Sequence, residues 1–137
     1  MKKAMFMLAF SLGVCFAANA QKTPPAAVVA AFNQKFPKVD ELEWKMEKNG
    51  EWEAEFEQGE DMEMSANFSA AGQWLETETD IKVADLPAPV QAALKGKKVK
   101  EAAKILRADG STVYEAEVKR KDLMFDANGK MLPAEKD

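Results

Sequence analysis

The chain reads as an α+β protein of two tandem repeats, each a helix followed by about four antiparallel strands, with both helices on one sheet face and the other face open. Three observations predict this. Residues 42–56 alternate with a period of two: Leu42, Trp44 and Met46, then Trp52, Ala54 and Phe56 are apolar, and most residues between them are Glu. Asn49-Gly50 between the two runs is a strong short hairpin signal. The pattern then recurs. Trp52-Glu53-Ala54-Glu55-Phe56 returns as Tyr114-Glu115-Ala116-Glu117-Val118, and Phe68-Ser69-Ala70-Ala71-Gly72-Gln73-Trp74-Leu75 returns as Phe125-Asp126-Ala127-Asn128-Gly129-Lys130-Met131-Leu132. Asn49-Gly50 is answered by Asp109-Gly110, and Val39 by Val99, in the same order along the chain.

The first residues form an export signal. Met1-Lys2-Lys3 is basic, residues 4–16 are an apolar run too short to span a bilayer comfortably, and Ala18-Asn19-Ala20 supplies the small-x-small cleavage pattern. Residues 1–20 are therefore expected to be removed, leaving residues 21–137 as a single domain of two repeats, about 24–80 and 81–135, in the periplasm or secreted. Lipidation at Cys15 is the alternative, against which Val14 stands where a small residue is wanted.

Each repeat opens with a proline-started, alanine-rich segment. The first helix is expected to start at Thr23 as N-cap with Pro24 at the first helical position, to bury Val28, Val29, Phe32 and Phe36, and to stop before Pro37. The second is expected to open at Asp85, to show Val90, Ala93 and Leu94, and to end near Gly96. Strands follow at about 39–47, 51–58, 61–68 and 73–79, then at about 99–106, 112–119, 121–126 and 130–133. The even-numbered set of repeat one, from Leu42 and Met46 through Met62, Met64, Ala66 and Phe68, is expected to face the helix. In repeat two Tyr114, Ala116, Val118, Leu123 and Phe125 are expected to do so. Val99 to Leu106 reads as a weak, alanine-rich strand, and Met131-Leu132-Pro133 as a short edge piece. Trp44, Trp52 and the three methionines Met46, Met62 and Met64 read as core.

Charge is divided unequally. From Pro24 to Asp80 there are 14 Asp/Glu against 4 Lys, a net of −10; from Ile81 to Asp137 there are 9 Asp/Glu against 12 Lys/Arg, a net of +3. The acidic excess falls on outward strand positions, where like charges opposite one another destabilise by up to about 1 kcal/mol per pair. Glu41, Glu43, Glu51, Glu53, Glu55 and Glu57 are thus the candidate partner-binding residues, with Trp74 beside them because Leu75 competes for its inward place. Solvation of an exposed face is the leading account of such charges, and charged positions also guard sheet edges.

There is no histidine, and the only cysteine lies in the signal. Histidine-dependent nucleophilic catalysis, histidine metal ligation and disulfides in the mature chain are thereby excluded. No cofactor and no metal site is expected. Carboxylates alternating along strands do not make the compact oxygen cage calcium takes, and rows of carboxylates on an open sheet do not face one another as in a glycosidase cleft. Nucleic acid is a poor partner for a chain of this charge, despite the basic groups Lys95, Lys97, Lys98 and Lys100 and Lys119, Arg120 and Lys121.

A helix, a strand bearing Trp44, the Asn49-Gly50 hairpin, the Trp52-Glu53-Ala54-Glu55-Phe56 strand and a closing hairpin from Phe68 through Gly72 to Trp74-Leu75, followed by a second copy, resemble the PepSY-like family grouped with β-lactamase-inhibitor-protein-like domains. These are small exported bacterial proteins. The resemblance spans residues 24–135 and implies a curved, largely antiparallel sheet able to grip another protein, with no set of β-lactamase-binding residues carried to numbered positions. The expected function is a non-enzymatic binding module, inhibitor-like in kind, that meets a basic protein or peptide on its charged open face, with self-association of acidic and basic halves as a further partner. The alternatives are an envelope accessory or sensor domain binding a soluble ligand or cation, and a carboxylate-only hydrolase.

Overall fold

A computed structural model describes residues 23–133; the expected signal segment, Cys15 and the cleavage site lie outside the described residues. Helix α1 (Ala26–Lys35) leads into strands β1 (Asp40–Met46), β2 (Trp52–Glu57), β3 (Glu63–Phe68) and β4 (Trp74–Ile81). A 3-10 turn (Val83–Asp85) and helix α2 (Ala88–Ala93) follow, then β5 (Val99–Arg107), β6 (Thr112–Val118), β7 (Lys121–Asp126) and β8 (Met131–Leu132). All eight strands form one antiparallel sheet in chain order. The repeats therefore share a continuous sheet, joined where β4 pairs with β5 from Glu76↔Arg107 to Ile81↔Ala102.

The repeated motifs are repeated structure. In the first hairpin Gly50 N–H donates to Glu47 O at 3.0 Å and Glu51 N–H to Asn49 Oδ1 at 3.0 Å. In the third from last strand pair Gly110 N–H donates to Arg107 O at 2.9 Å and Ser111 N–H to Asp109 Oδ1 at 2.8 Å. The closing turns match as well. Gly72 and Gly129 adopt φ of +86° and +81°, and a Cβ there would lie 2.7 Å from Ala27 O and 2.4 Å from Pro89 O respectively. Glycine is required at both places because the turn is pressed onto the first turn of its own repeat's helix.

Cross-strand register puts both helices on the same sheet face. Val28, Phe32 and Phe36 of the first helical segment pack on Trp52, Ala54, Phe56, Ala66 and Phe68, and Leu86, Val90 and Leu94 on Ala102, Ala116, Val118 and Phe125. The first core is a stack of rings about Phe32, whose centroid lies 5.1–5.3 Å from those of Phe36, Trp44 and Phe56. The edge-to-face contacts of Phe32 with Trp44 and Phe56 add to the burial of apolar area.

Several expectations need correction. Helix α1 begins at Ala26 and takes Pro25 as N-cap, with no side-chain cap, because Pro24 stands before a proline and is kept extended. Likewise Pro87, not Asp85, precedes α2; Asp85 belongs to the 3-10 turn, and Ala93 is exposed. Leu42, Met46 and Met62 are not core: they are 38%, 42% and 46% exposed. β1 is the sheet edge, so no neighbouring strand covers its outer side, and it bulges between Asp40 and Glu43 with Glu41 at φ 53°; Met62 precedes β3. β5, expected to be weak, runs nine residues. Ladder bonds on both sides outweigh the low strand propensity of alanine.

Candidate functional site

The face opposite the helices is built of successive rows across the strands. One row runs Lys45, Glu53, Asn67, Glu76 and Arg107; the next runs Glu43, Glu55, Ser65, Glu78, Ile105 and Val113; a third brings Asp80, Ala103, Glu115, Met124 and Leu132 into line. Thus the repeat-one half and the β4 seam are acidic, whereas the repeat-two half carries an apolar strip in which Ile105, Val113 and Met124 are buried together with half-buried Leu132.

Crowding changes the acidity of these groups. Burial, then the charges of Glu115, Asp80, Glu53 and Glu76, push the Glu78 carboxyl up to about 8. Glu53 is raised to about 7 by burial and by Glu55 and Glu47, with Lys45 opposing. Asp80 is raised to about 7 by burial and by Glu63 and Glu101, with a hydrogen bond to Glu63, and Glu115 to about 7 by burial and by Asp122, Asp80, Glu76 and Glu117. The physical cause is common: acidic side chains on the same strand, and on strands one or two places apart, lose water together and repel one another. Basic groups offset this only in part. Lys45 is ion-paired with Glu55, Arg107 Nε lies 3.6 Å from Glu76 Oε2, and Lys100 Nζ lies 3.7 Å from Glu117 Oε1. Burial works against the Lys45 charge, but its hydrogen bond to Glu55 and the nearby carboxylates raise its pKa.

Of the residues singled out in sequence, Glu43, Glu53, Glu55 and Glu57 lie on this face by register. Glu51 lies beside the first hairpin turn, its carbonyl accepting from Glu47 N–H at 2.9 Å, and Glu41 sits in the bulge, where its charge raises the Glu57 carboxyl. Trp74 is elsewhere. It packs against the helix-side core, donates from Nε1 to Thr77 Oγ1 at 2.9 Å, and carries the Lys35 ammonium 3.6 Å above its ring.

Sequence reasoning passed over Glu78, Asp80 and Glu115, although a signal was present: Glu76-Thr77-Glu78-Thr79-Asp80 alternates, and Glu115 is the repeat of Glu53. It also passed over the apolar strip. Val113 beside Tyr114, Ile105 beside Leu106 and Met124 between Leu123 and Phe125 break strict alternation, which marks strands with apolar residues on both faces.

Among the described residues no group of three or more Asp, Glu, Cys or His is placed to hold a metal ion, and no helix is long and apolar enough to cross a membrane. A shallow depression of about 230 Å³ beside the end of α2 is lined by Val83, Leu86, Leu94 and Val99 with Lys95 and Lys97.

Comparison with known proteins bears on this arrangement. A family model described as "Putative beta-lactamase-inhibitor-like, PepSY-like" matches residues 19–68 and 50–133. No curated protein sequence matches. Among solved structures, the chain is similar to a DUF2874 family protein from Bacteroides ovatus (TM-score 0.72, 21% identity, covering 82% of this chain and 86% of that one). It is similar also to a BLIP-like protein from Bacteroides fragilis (TM-score 0.68, 23% identity, 83% and 86% covered). A third, from Bacteroides eggerthii and described among "putative periplasmic proteins", aligns with TM-score 0.72 at 17% identity over 82% and 88% of the two chains. At these identities the likeness is one of fold.

Proposed function

The chain belongs to the PepSY-like, beta-lactamase-inhibitor-like family, and from that premise we propose that it is a non-enzymatic, exported protein-binding module that takes a basic partner on its helix-free sheet face. One observation carries this reading: Glu53 on β2, Glu78 and Asp80 on β4 and Glu115 on β6 share that face, where burial and repulsion from nearby carboxylates make them weaker acids than usual. A face so constituted weakens the isolated fold, and lysine or arginine side chains laid across it would offset the repulsion while excluding water. The apolar strip of Ile105, Val113, Met124 and Leu132 adjoins the charged rows, as the apolar centre of an interface adjoins its polar rim. The inhibitor-like kinship supports a protein as the partner, and the periplasmic description of one relative fits the expected export signal.

The test is crosslinking of the tagged protein in its host, beside the double variant Glu53→Lys, Glu55→Lys. Loss of the crosslinked partner with no fall in melting temperature is the expected result. Retention of the same partner by the charge-reversed variant, at high salt as at low, would show that this face is not the contact.

A further inference from the structure

Strand β1 forms one edge of the sheet, and no described segment runs along its outer side. The hairpin geometry decides which of its backbone groups are free. Glu47 N–H donates to Glu51 O at 2.9 Å, and Lys45↔Glu53 and Glu43↔Glu55 follow at two-residue steps. In an antiparallel ladder the groups facing the partner recur every second residue, so the N–H and C=O of Trp44 and Met46 point outward, away from β2.

The side chains of this edge are divided by face. Leu42 and Met46 are exposed and Trp44 is only half-buried, on the helix side of the strand. On the opposite side stand Asp40 and Glu43, backed on β2 by Glu57 and Glu55. Lys45 is the one basic residue of β1 and is already engaged with Glu55.

We propose that β1 is a strand-addition edge, which accepts an extended partner segment whose lysine or arginine residues alternate with apolar ones. Such a segment would satisfy the outward backbone groups, cover Leu42, Trp44 and Met46 with one set of its side chains, and bring the other set beside Asp40 and Glu43. A second copy of β1 does not fit this role, because pairing the two edges would set one acidic row against another. The bulge between Asp40 and Glu43 limits the regular edge at its N-terminal end. This inference rests on the reading that a basic partner docks on the helix-free face, and it locates part of that partner's backbone at the edge of that face.

The probe is a capped heptapeptide, Lys-Val-Lys-Val-Lys-Val-Lys, titrated into the folded protein at physiological salt with tryptophan fluorescence or calorimetry as the readout. Beside it is the same peptide N-methylated at its five interior residues, which keeps the charge and removes those five backbone donors. At least tenfold weaker binding of the N-methylated peptide is expected. An equal loss is expected for the parent peptide on Met46→Pro, which deletes an outward N–H at a position where an edge strand tolerates proline. Equal binding of the two peptides would overturn strand addition and leave docking on the acidic face standing. Failure of both peptides to bind would overturn the two readings together. Should Met46→Pro lower the melting temperature, the peptide pair alone decides.

Discussion

The two repeats share turns, register and helix placement but fill their cores differently. Relative to the helix–turn contact, Val28 and Phe32 of repeat one correspond to Val90 and Leu94 of repeat two, and the paired strands set Trp44, Trp52 and Phe56 against Ala102, Tyr114 and Val118. Only Phe68 and Phe125 keep the same ring. The first helix runs ten residues and reaches Phe36, whereas the second runs six and is supplemented by Leu86, which follows the 3-10 turn. An aromatic box under a longer helix and an aliphatic one under a shorter helix are thus alternative fillings of one frame, as expected where volume and pattern matter more than residue identity. The helix-free side diverges in the opposite sense: acidic in repeat one, partly apolar in repeat two. Frame residues are held by close approach, and surface residues are left to acquire a function.

The largest test of this comparison is truncation of the equivalent large side chain in each core, Phe32 within α1 and Leu94 at the C-cap of α2. Phe32→Ala is expected to cost about 4 kcal/mol and Leu94→Ala about 3 kcal/mol by chemical denaturation. A larger loss at Leu94 would mean that the aliphatic repeat holds the fold. Next come the two closing turns, where Gly72→Ala and Gly129→Ala should each cost about 2–3 kcal/mol, since a Cβ must enter a left-handed conformation and also meet the helix backbone. A loss confined to one of them would break the equivalence of the repeats.

The acidic seam predicts an inverted pH dependence. Glu53, Glu78, Asp80 and Glu115 titrate higher in the folded protein than in the unfolded chain, so folding takes up protons between about pH 4 and pH 8. Stability should be greatest near the lower limit and decline as pH rises through 7 to 8. Glu78→Gln should stabilise by about 2 kcal/mol at pH 8 and by much less at pH 5, and a melting temperature that climbs from pH 5 to pH 8 would contradict it. The smallest effect belongs to a contact that, among the described residues, is made in repeat one alone. Lys35→Ala removes the ammonium over Trp74 and should cost about 0.5–1 kcal/mol, whereas Met131, the counterpart of Trp74, is 54% exposed.

Much of this molecule was written in local pattern. Alternation from Trp52 to Phe56, the two short turns ending in Gly50 and Gly110, and the recurrence of the Phe-to-Gly closing turn define strands, hairpins and duplication, because a period of two and a positive φ are properties of a few neighbouring residues. The outward placing of Glu43, Glu53, Glu55 and Glu57 follows from the same period. Pairing between distant strands lay beyond it. That β4 joins β5, that Glu78 therefore stands among Glu115, Asp80 and Glu53, that β1 is left as an edge with Met46 exposed, and that Ile105, Val113 and Met124 cluster away from the helices are consequences of which strand lies beside which. Carboxyl acidity and burial depend on neighbours brought close by long-range register, which no short stretch of chain contains.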